Sequence, residues 1–249
     1  MRRCLAIVLF WAAHSLASEP VLRFSVAESW SMPLIRIEHE QPVEGILFDL
    51  MQAIARHTGA RPEYHVMARL RLQQALEEDD IDVRCYVSTQ WINDRPGNYL
   101  WSVPVITQRD LLVAAPGTDG PTRPEQLPPQ AIGTVLGFSY LPLEPLFASG
   151  RLEREDSRSQ LLVLHKLHAG RYQHAVSNQL SLDWFNRQLP DAERLKSVHV
   201  LEEQQLGCMV RSDASVPAQG VLRALVRMKQ SGEVDRIIQR YTADRPHAG

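Results

Sequence analysis

The chain has 249 residues, with 27 Lys and Arg against 29 Asp and Glu, a formal charge of −2. A near-neutral, slightly acidic chain gives no electrostatic footprint for nucleic acid or for an anionic membrane surface. Its length and 44% hydrophobic content suit one large domain or two small ones.

Arg2 and Arg3 precede an apolar run over 5–13, and Ser15, Leu16 and Ala17 form a small-x-small site. This predicts a secretory signal peptide over 1–17, too short to span a bilayer comfortably. Its removal leaves about 232 residues, with 25 basic and 29 acidic side chains, or about −4. Cys85 and Cys208 remain in the exported part. Export permits a bridge. Spacing alone leaves two readings open, a disulfide and a pair of buried thiols.

An apolar stretch over 21–26 predicts the first strand. The segment 27–44, with Trp30, Pro33 and Pro42, has no clear period and reads as a long loop. Such a loop follows a strand's carboxyl end, where open α/β sheets bind ligands. Trp30 therefore either stands beside a ligand or covers a sheet edge. In 45–59, Leu47, Leu50, Met51, Ile54 and Ala55 recur at helical spacing. Asp49 suits the positive end of that helix, Arg56 and His57 suit the negative end, and Gly59 supplies a left-handed stop. A second strand over 62–67 completes a β-loop-α-β opening, which predicts a parallel sheet flanked by helices.

A short helix over 68–77 and a third strand over 81–87 follow, then a polar loop over 88–99. The apolar stretches 100–106 and 111–115 read as strands leaving this unit. Pro and Gly crowd 116–129. Beyond them a second α/β unit of roughly 90 residues is predicted. Its strands fall at 131–136, 173–177 and 198–201, and its helices near 141–148, 161–169 and 180–189. A strand over 206–210 and amphipathic helices over 221–228 and 234–241 end the chain.

Four segments in order resemble the family 3 solute-binding proteins, the periplasmic polar amino-acid receptors of ABC transporters. They are Gly45-x-x-x-Asp49-Leu50; Asp80-Ile-Asp82 with Arg95 and Trp101-Ser102-x-Pro104; Ile132-Gly133 through Gly137-x-Ser139; and Gly232 through Tyr241. The resemblance implies an α/β, two-lobe, type II periplasmic-binding-protein fold. Each lobe would be a small, mostly parallel sheet flanked by helices, with two hinge strands between them. The implied division is 18–112 with 204–249 as lobe 1, and 113–203 as lobe 2.

The resemblance also implies a ligand site. Arg95 stands where the family's carboxylate-binding Arg stands, if one extra residue is allowed after Asp82. A guanidinium grips a carboxylate through two parallel hydrogen bonds. Ser88 and Thr89 fall near the family's hydroxyl and amide contacts; either can equally be a turn former. Ser139 matches a Thr in the lobe 2 turn, and an N-cap role explains it equally. Asn178 stands where receptors for α-amino acids usually carry Asp, so the ligand's ammonium loses a charged partner. Either the ligand is not a simple zwitterion, which points to an organic acid or a modified amino acid, or another group supplies the anion.

His165, His168 and His174 invite a metal reading, but no Cys or carboxylate completes a set, and none is expected. No nucleotide loop or catalytic triad is legible, so neither cofactor nor enzyme activity is expected. The expected function is a monomeric periplasmic protein that captures a small polar solute and hands it to the membrane permease of an ABC transporter. The alternatives are a ligand-sensing subunit and a dehydratase-like enzyme, for which Glu28 is the nearest acid in the ligand loop.

Overall fold

The computed structural model describes residues 19–92, 98–118 and 122–243. The leader reading over 1–17 therefore falls outside the described residues, as does Arg95.

The first half begins with β1 (Val21–Ala27), then a hairpin of β2 (Arg36–Glu38) and β3 (Gln41–Glu44), and helix α1 (Ile46–Thr58). It continues with β4 (Arg61–Met67), helix α2 (Leu72–Glu77), β5 (Val83–Val87) and the short β6 (Tyr99–Trp101). β7 (Ile106–Ala114) leads into the second half, which contains β8 (Gln130–Val135), α3 (Glu144–Ala148), β9 (Leu152–Ser157) and α4 (Gln160–His168). β10 (His174–Asn178), α5 (Gln179–Asn186) and the long β11 (Lys196–Arg211) follow. The helices α6 (Ala218–Gln230) and α7 (Glu233–Thr242) close the chain.

The strands run in the order β4-β1-β5-β11-β7-β10-β8-β9, with β6 on β11. β4, β1 and β5 are parallel, as are β10, β8 and β9. Between these two parallel groups lie β7 and β11, antiparallel to each other over the whole length of β7. β11 continues past β7 to pair with β5 and β6. The two crossing strands thus make one curled, mixed sheet out of two parallel ones.

The apolar cores follow this division. One core joins β1, β5 and α1 to α6 and α7, from Leu22 through Ile106 and from Leu206 through Tyr241. The second half has a core on each face of its sheet. Alternate residues of β7 point to opposite faces: Leu111 and Val113 meet α4 and α5, while Leu112 and Ala114 meet Tyr140, Leu143 and Leu152. Burial on both faces explains why these strands are continuous apolar runs.

Three of the four segments quoted above prove to be joints. The Gly45 N–H donates to the Tyr241 hydroxyl at 3.2 Å, and that hydroxyl donates to Asp49 Oδ2 at 2.9 Å. This ties the start of α1 to the last helix. Asp82 is clasped by Arg23 of β1 and Arg211 at the end of β11, with side-chain hydrogen bonds of 2.8 Å and 2.9 Å. Ser102 Oγ accepts from Cys208 N at 2.9 Å. The cysteine question is also resolved: Cys85 and Cys208 are cross-strand neighbours on β5 and β11 and form a disulfide.

Helix α1 ends as predicted, with Gly59 left-handed at φ 63°. Several elements differ from the sequence reading. The loop after β1 contains the β2-β3 hairpin. The helix expected over 68–77 opens with a 3-10 turn, Arg69–Arg71, before α2. The helix expected near 141–148 is a 3-10 turn followed by the short α3. Strand β9 was not predicted, and the two strands expected at 198–201 and 206–210 are one strand, β11.

Candidate functional site

A cleft opens where β7 and β11 cross between the halves. The first half contributes Ser29, Trp30 and Ser31 from the loop after β1, Arg69 from the turn before α2, Tyr86 of β5, and Trp91. The second contributes Phe138, Ser139 and Tyr140 from the turn after β8, Gln160 at the start of α4, and Val176 and Asn178 of β10. Gln108 and Asp110 of β7 form part of the wall. The halves are closed on each other. Gln160 N donates to Ser29 O at 3.3 Å, and the enclosed free space is about 30 Å³, room for about one water.

Aromatic rings dominate the lining. The Arg69 guanidinium lies 4.5 Å from the centre of the Phe138 ring and 5.5 Å from that of Trp91. It thereby stacks on a residue of each half of the cleft wall, a favourable cation–π geometry. Trp30 meets Tyr86 edge-on at 5.9 Å. Tyr86 has a left-handed backbone at φ 61°, and its buried hydroxyl has no hydrogen-bond partner among the described residues. A non-glycine residue held in that conformation inside a cleft is the kind of local cost that clusters at ligand sites.

Two charges near the cleft are shifted by their surroundings. Burial raises the Asp110 carboxyl to about 6, although a hydrogen bond from Gln108 Nε2 at 2.8 Å works the other way. Burial also lowers the Arg69 pKa, opposed by Tyr140, Tyr86 and Asp110.

Of the residues expected from sequence, Trp30, Ser139 and Asn178 come together in this lining. Trp30 is 9% exposed, so it covers the sheet and faces the cleft at once. Asn178 uses its Oδ1 as the N-cap of α5, accepting from Ser181 N at 2.9 Å. Only its amide NH₂ is left for the cleft. Ser139 caps no helix; Tyr140 precedes the 3-10 turn, and α3 begins five residues after Ser139. Ser88 caps the turn Thr89–Trp91 by accepting from Gln90 N at 3.3 Å, and Thr89 is exposed. Neither is among the lining residues.

Glu28 is exposed and outside the lining. The imidazoles of His165 and His168 both meet Phe185 edge-on, at 5.1 Å and 6.1 Å, and His174 Nδ1 bonds Gln130 Oε1.

Sequence reasoning missed Arg69, Tyr86, Gln108 and Asp110. One signal was available. The polar run Thr107-Gln-Arg-Asp110 interrupts an apolar strand, and polar groups in a buried strand need a local reason.

Two α/β halves, crossed twice by the chain and closed over an aromatic cleft, define the two-lobed periplasmic-binding-protein class of fold, type II. Within that class, the chain belongs to the bacterial extracellular solute-binding proteins, family 3, whose model matches residues 23–244.

Solved structures agree on the fold. An ancestral arginine-binding protein bound to arginine is 22% identical, with TM-score 0.72, covering 90% of this chain and 98% of its own. The arginine-, lysine-, histidine-binding protein ArtJ from Geobacillus stearothermophilus is 15% identical, with TM-score 0.71 and coverage of 91% and 96%. The GluR0 ligand-binding core from Nostoc punctiforme, in complex with L-glutamate, is 13% identical, with TM-score 0.69 and coverage of 90% and 100%. No curated protein matches the sequence. The family and these neighbours are binding proteins rather than enzymes. No helix among the described residues is long and apolar enough to cross a membrane.

Proposed function

We propose that this protein is a periplasmic receptor that captures a small polar solute, an amino acid, a derivative of one or an organic acid, between its two halves. It then delivers that solute to the membrane permease of an ABC transporter. The observation that supports this most is the cleft itself: one lining built from both halves and from the strand that crosses between them. Closure about such strands is how hinged domains trap a ligand. The solute-binding neighbours support the same reading.

The lobes would be 18–112 with 204–249, and 113–203, consistent with the separate apolar cores. Trp30, Ser139 and Asn178 would touch the solute; Arg95, the expected carboxylate grip, lies outside the described residues. Export by a leader over 1–17 and a monomeric state complete the proposal.

A thermal-shift screen of the purified protein against amino acids, organic acids and polyamines tests it. A ligand at about 100 times its Kd stabilises the native state by about 2.7 kcal/mol. That is a rise in Tm of roughly 5–10 °C for a chain of this size. One solute class should produce such a rise, confirmed by calorimetry with one site per chain. No response across the whole panel overturns the receptor reading.

A further inference from the structure

The two faces of the crossing strands differ in how their polar groups are matched. Residues paired directly across a ladder share a face, and like charges set opposite each other are unfavourable. On one face of β7 and β11 the partners satisfy each other. Arg109 pairs with Glu203, and Thr107 Oγ1 donates to Gln205 Oε1 at 3.2 Å. The alternate residues face the other way. There Asp110 stands opposite Glu202, and Gln108 stands opposite Gln204. Neither carboxylate has an ion-pair partner among the described residues. The buried Gln204 Oε1 has no hydrogen-bond partner among them either. On its other edge β7 pairs with β10, which makes Asp110 the direct neighbour of Asn178.

Among the described residues, Asp110 is the one carboxylate in the cleft lining. Its Oδ1 accepts from Gln108 Nε2 at 2.8 Å. Its Oδ2 accepts from no described residue. Asn178 spends its Oδ1 on the cap of α5, so it offers the cleft a donor and no acceptor. Burial, and then the charge of Glu202, push the Asp110 carboxyl upward, as expected of an anion short of a cation. Arg69 does not fill that need. Its guanidinium is held between the rings of Phe138 and Trp91 and makes no ion pair or hydrogen bond among the described residues. The lining thus has one anion and one cation that leave each other unpaired.

We propose, resting on the receptor reading above, that Asp110 is the seat of a cationic amine of the solute. The amine donates to Oδ2, and such a charge-assisted bond is roughly twice as strong as a neutral one. The same cation relieves the opposition of Asp110 and Glu202. The negative charge that position 178 lacks is thereby supplied one strand away, on the strand that crosses between the halves. Arg69 then selects among amines. A solute with a carboxylate beside its amine matches both groups. A polyamine matches Asp110 alone, and an organic acid without an amine matches Arg69 alone. The enclosed space of about 30 Å³ is far below an amino acid's volume, so the solute reaches this seat while the halves are apart.

Thermal shift and calorimetry with the standard L-amino acids, putrescine, spermidine, succinate and glutarate test the seat. The tightest ligand should carry both an amine and a carboxylate. Acetylating that amine should weaken it at least about 30-fold. The polyamines and the two diacids should each bind at least about tenfold more weakly than it does. Asp110→Asn keeps the shape of the side chain and an oxygen for Gln108. It should weaken the same ligand at least about 30-fold and leave the Tm of the free protein unchanged or higher, because the opposition to Glu202 goes with the charge. Lost binding together with a lower Tm assigns Asp110 to the fold and overturns the seat. Tightest binding by succinate or glutarate also overturns it and leaves the receptor reading standing. So does an acetylated ligand, or an Asp110→Asn protein, that binds as well as its parent. Tightest binding by a polyamine supports the seat and overturns the selection by Arg69. Binding of nothing in the wider screen overturns the receptor reading, and the seat with it.

Discussion

Asp82 has a buried carboxylate, 4% exposed at its side chain, that takes hydrogen bonds from Arg23 and Arg211. Burial works against its charge, yet the two arginines outweigh burial and hold the carboxyl below its ordinary value. A lowered folded pKa means stability that is complete above the ordinary carboxylate range and lost as pH falls through the lowered value. Asp82→Asn should therefore cost roughly 3–5 kcal/mol at neutral pH, since it leaves the buried Arg211 and the half-buried Arg23 without their shared anion. Denaturation midpoints at pH 7 and pH 3 check this. The gap between wild type and variant should be widest at pH 7 and shrink in acid. At this scale the sequence showed where residues matter without showing why. Gly133 stood in a family-like segment, but its reason is steric: a Cβ there would meet the Tyr172 ring at 2.2 Å. No local pattern reveals a ring that arrives from 39 residues away. Asp82 and Arg211 are 129 residues apart, and their pairing was equally invisible.

Among the elements, α5 reaches across the molecule. It belongs to the second half by sequence, yet its Leu180 and Trp184 are packed against the large core of the first. At its end, Arg187 donates to the carbonyls of Tyr241, at 2.8 Å, and Thr242. Those are last-turn carbonyls of α7, which no intrahelical N–H satisfies. Arg187→Ala removes charge-assisted bonds worth about 1.5–3 kcal/mol. The Tm should fall by roughly 3–10 °C, and amide exchange should quicken in the last turn of α7 before it does in β1. Regular elements with a clean period, such as α1 and α6, were legible from sequence. β11 was not, because its middle is Glu202-Glu203-Gln204-Gln205, a polar and charged stretch without apolar alternation. That stretch is a strand because it faces the equally polar part of β7, where Arg109 meets Glu203 at 2.6 Å. β9 was hidden in the same way, by Glu153-Arg-Glu-Asp156 at the edge of its sheet. Polar edges and crossings are set by partners far along the chain, so single-sequence patterns miss them.

For the molecule as a whole, the division into two α/β halves was legible, because burial on both faces writes most of their strands as apolar runs; β9 and the order of the strands were not. The candidate site was legible only in part: the loop after β1 and the turn after β8 were expected to face a ligand, whereas Arg69 in the turn before α2 and Asp110 on β7 were not. The disulfide between Cys85 and Cys208 bridges positions 123 residues apart. A loop of that length constrains the unfolded chain strongly, and such bridges typically add about 2–4 kcal/mol. A Cys85→Ala, Cys208→Ala double variant should lose that much in urea denaturation, and reductant should bring the wild type to the same midpoint. The bridge has a topological result as well. Everything from β6 through most of β11, including the entire second half, is strung as a closed ring on the first half, with two tails leaving the clasp. A protease that cuts the chain once inside the ring releases no fragment: the product keeps its full mass until a thiol opens the clasp.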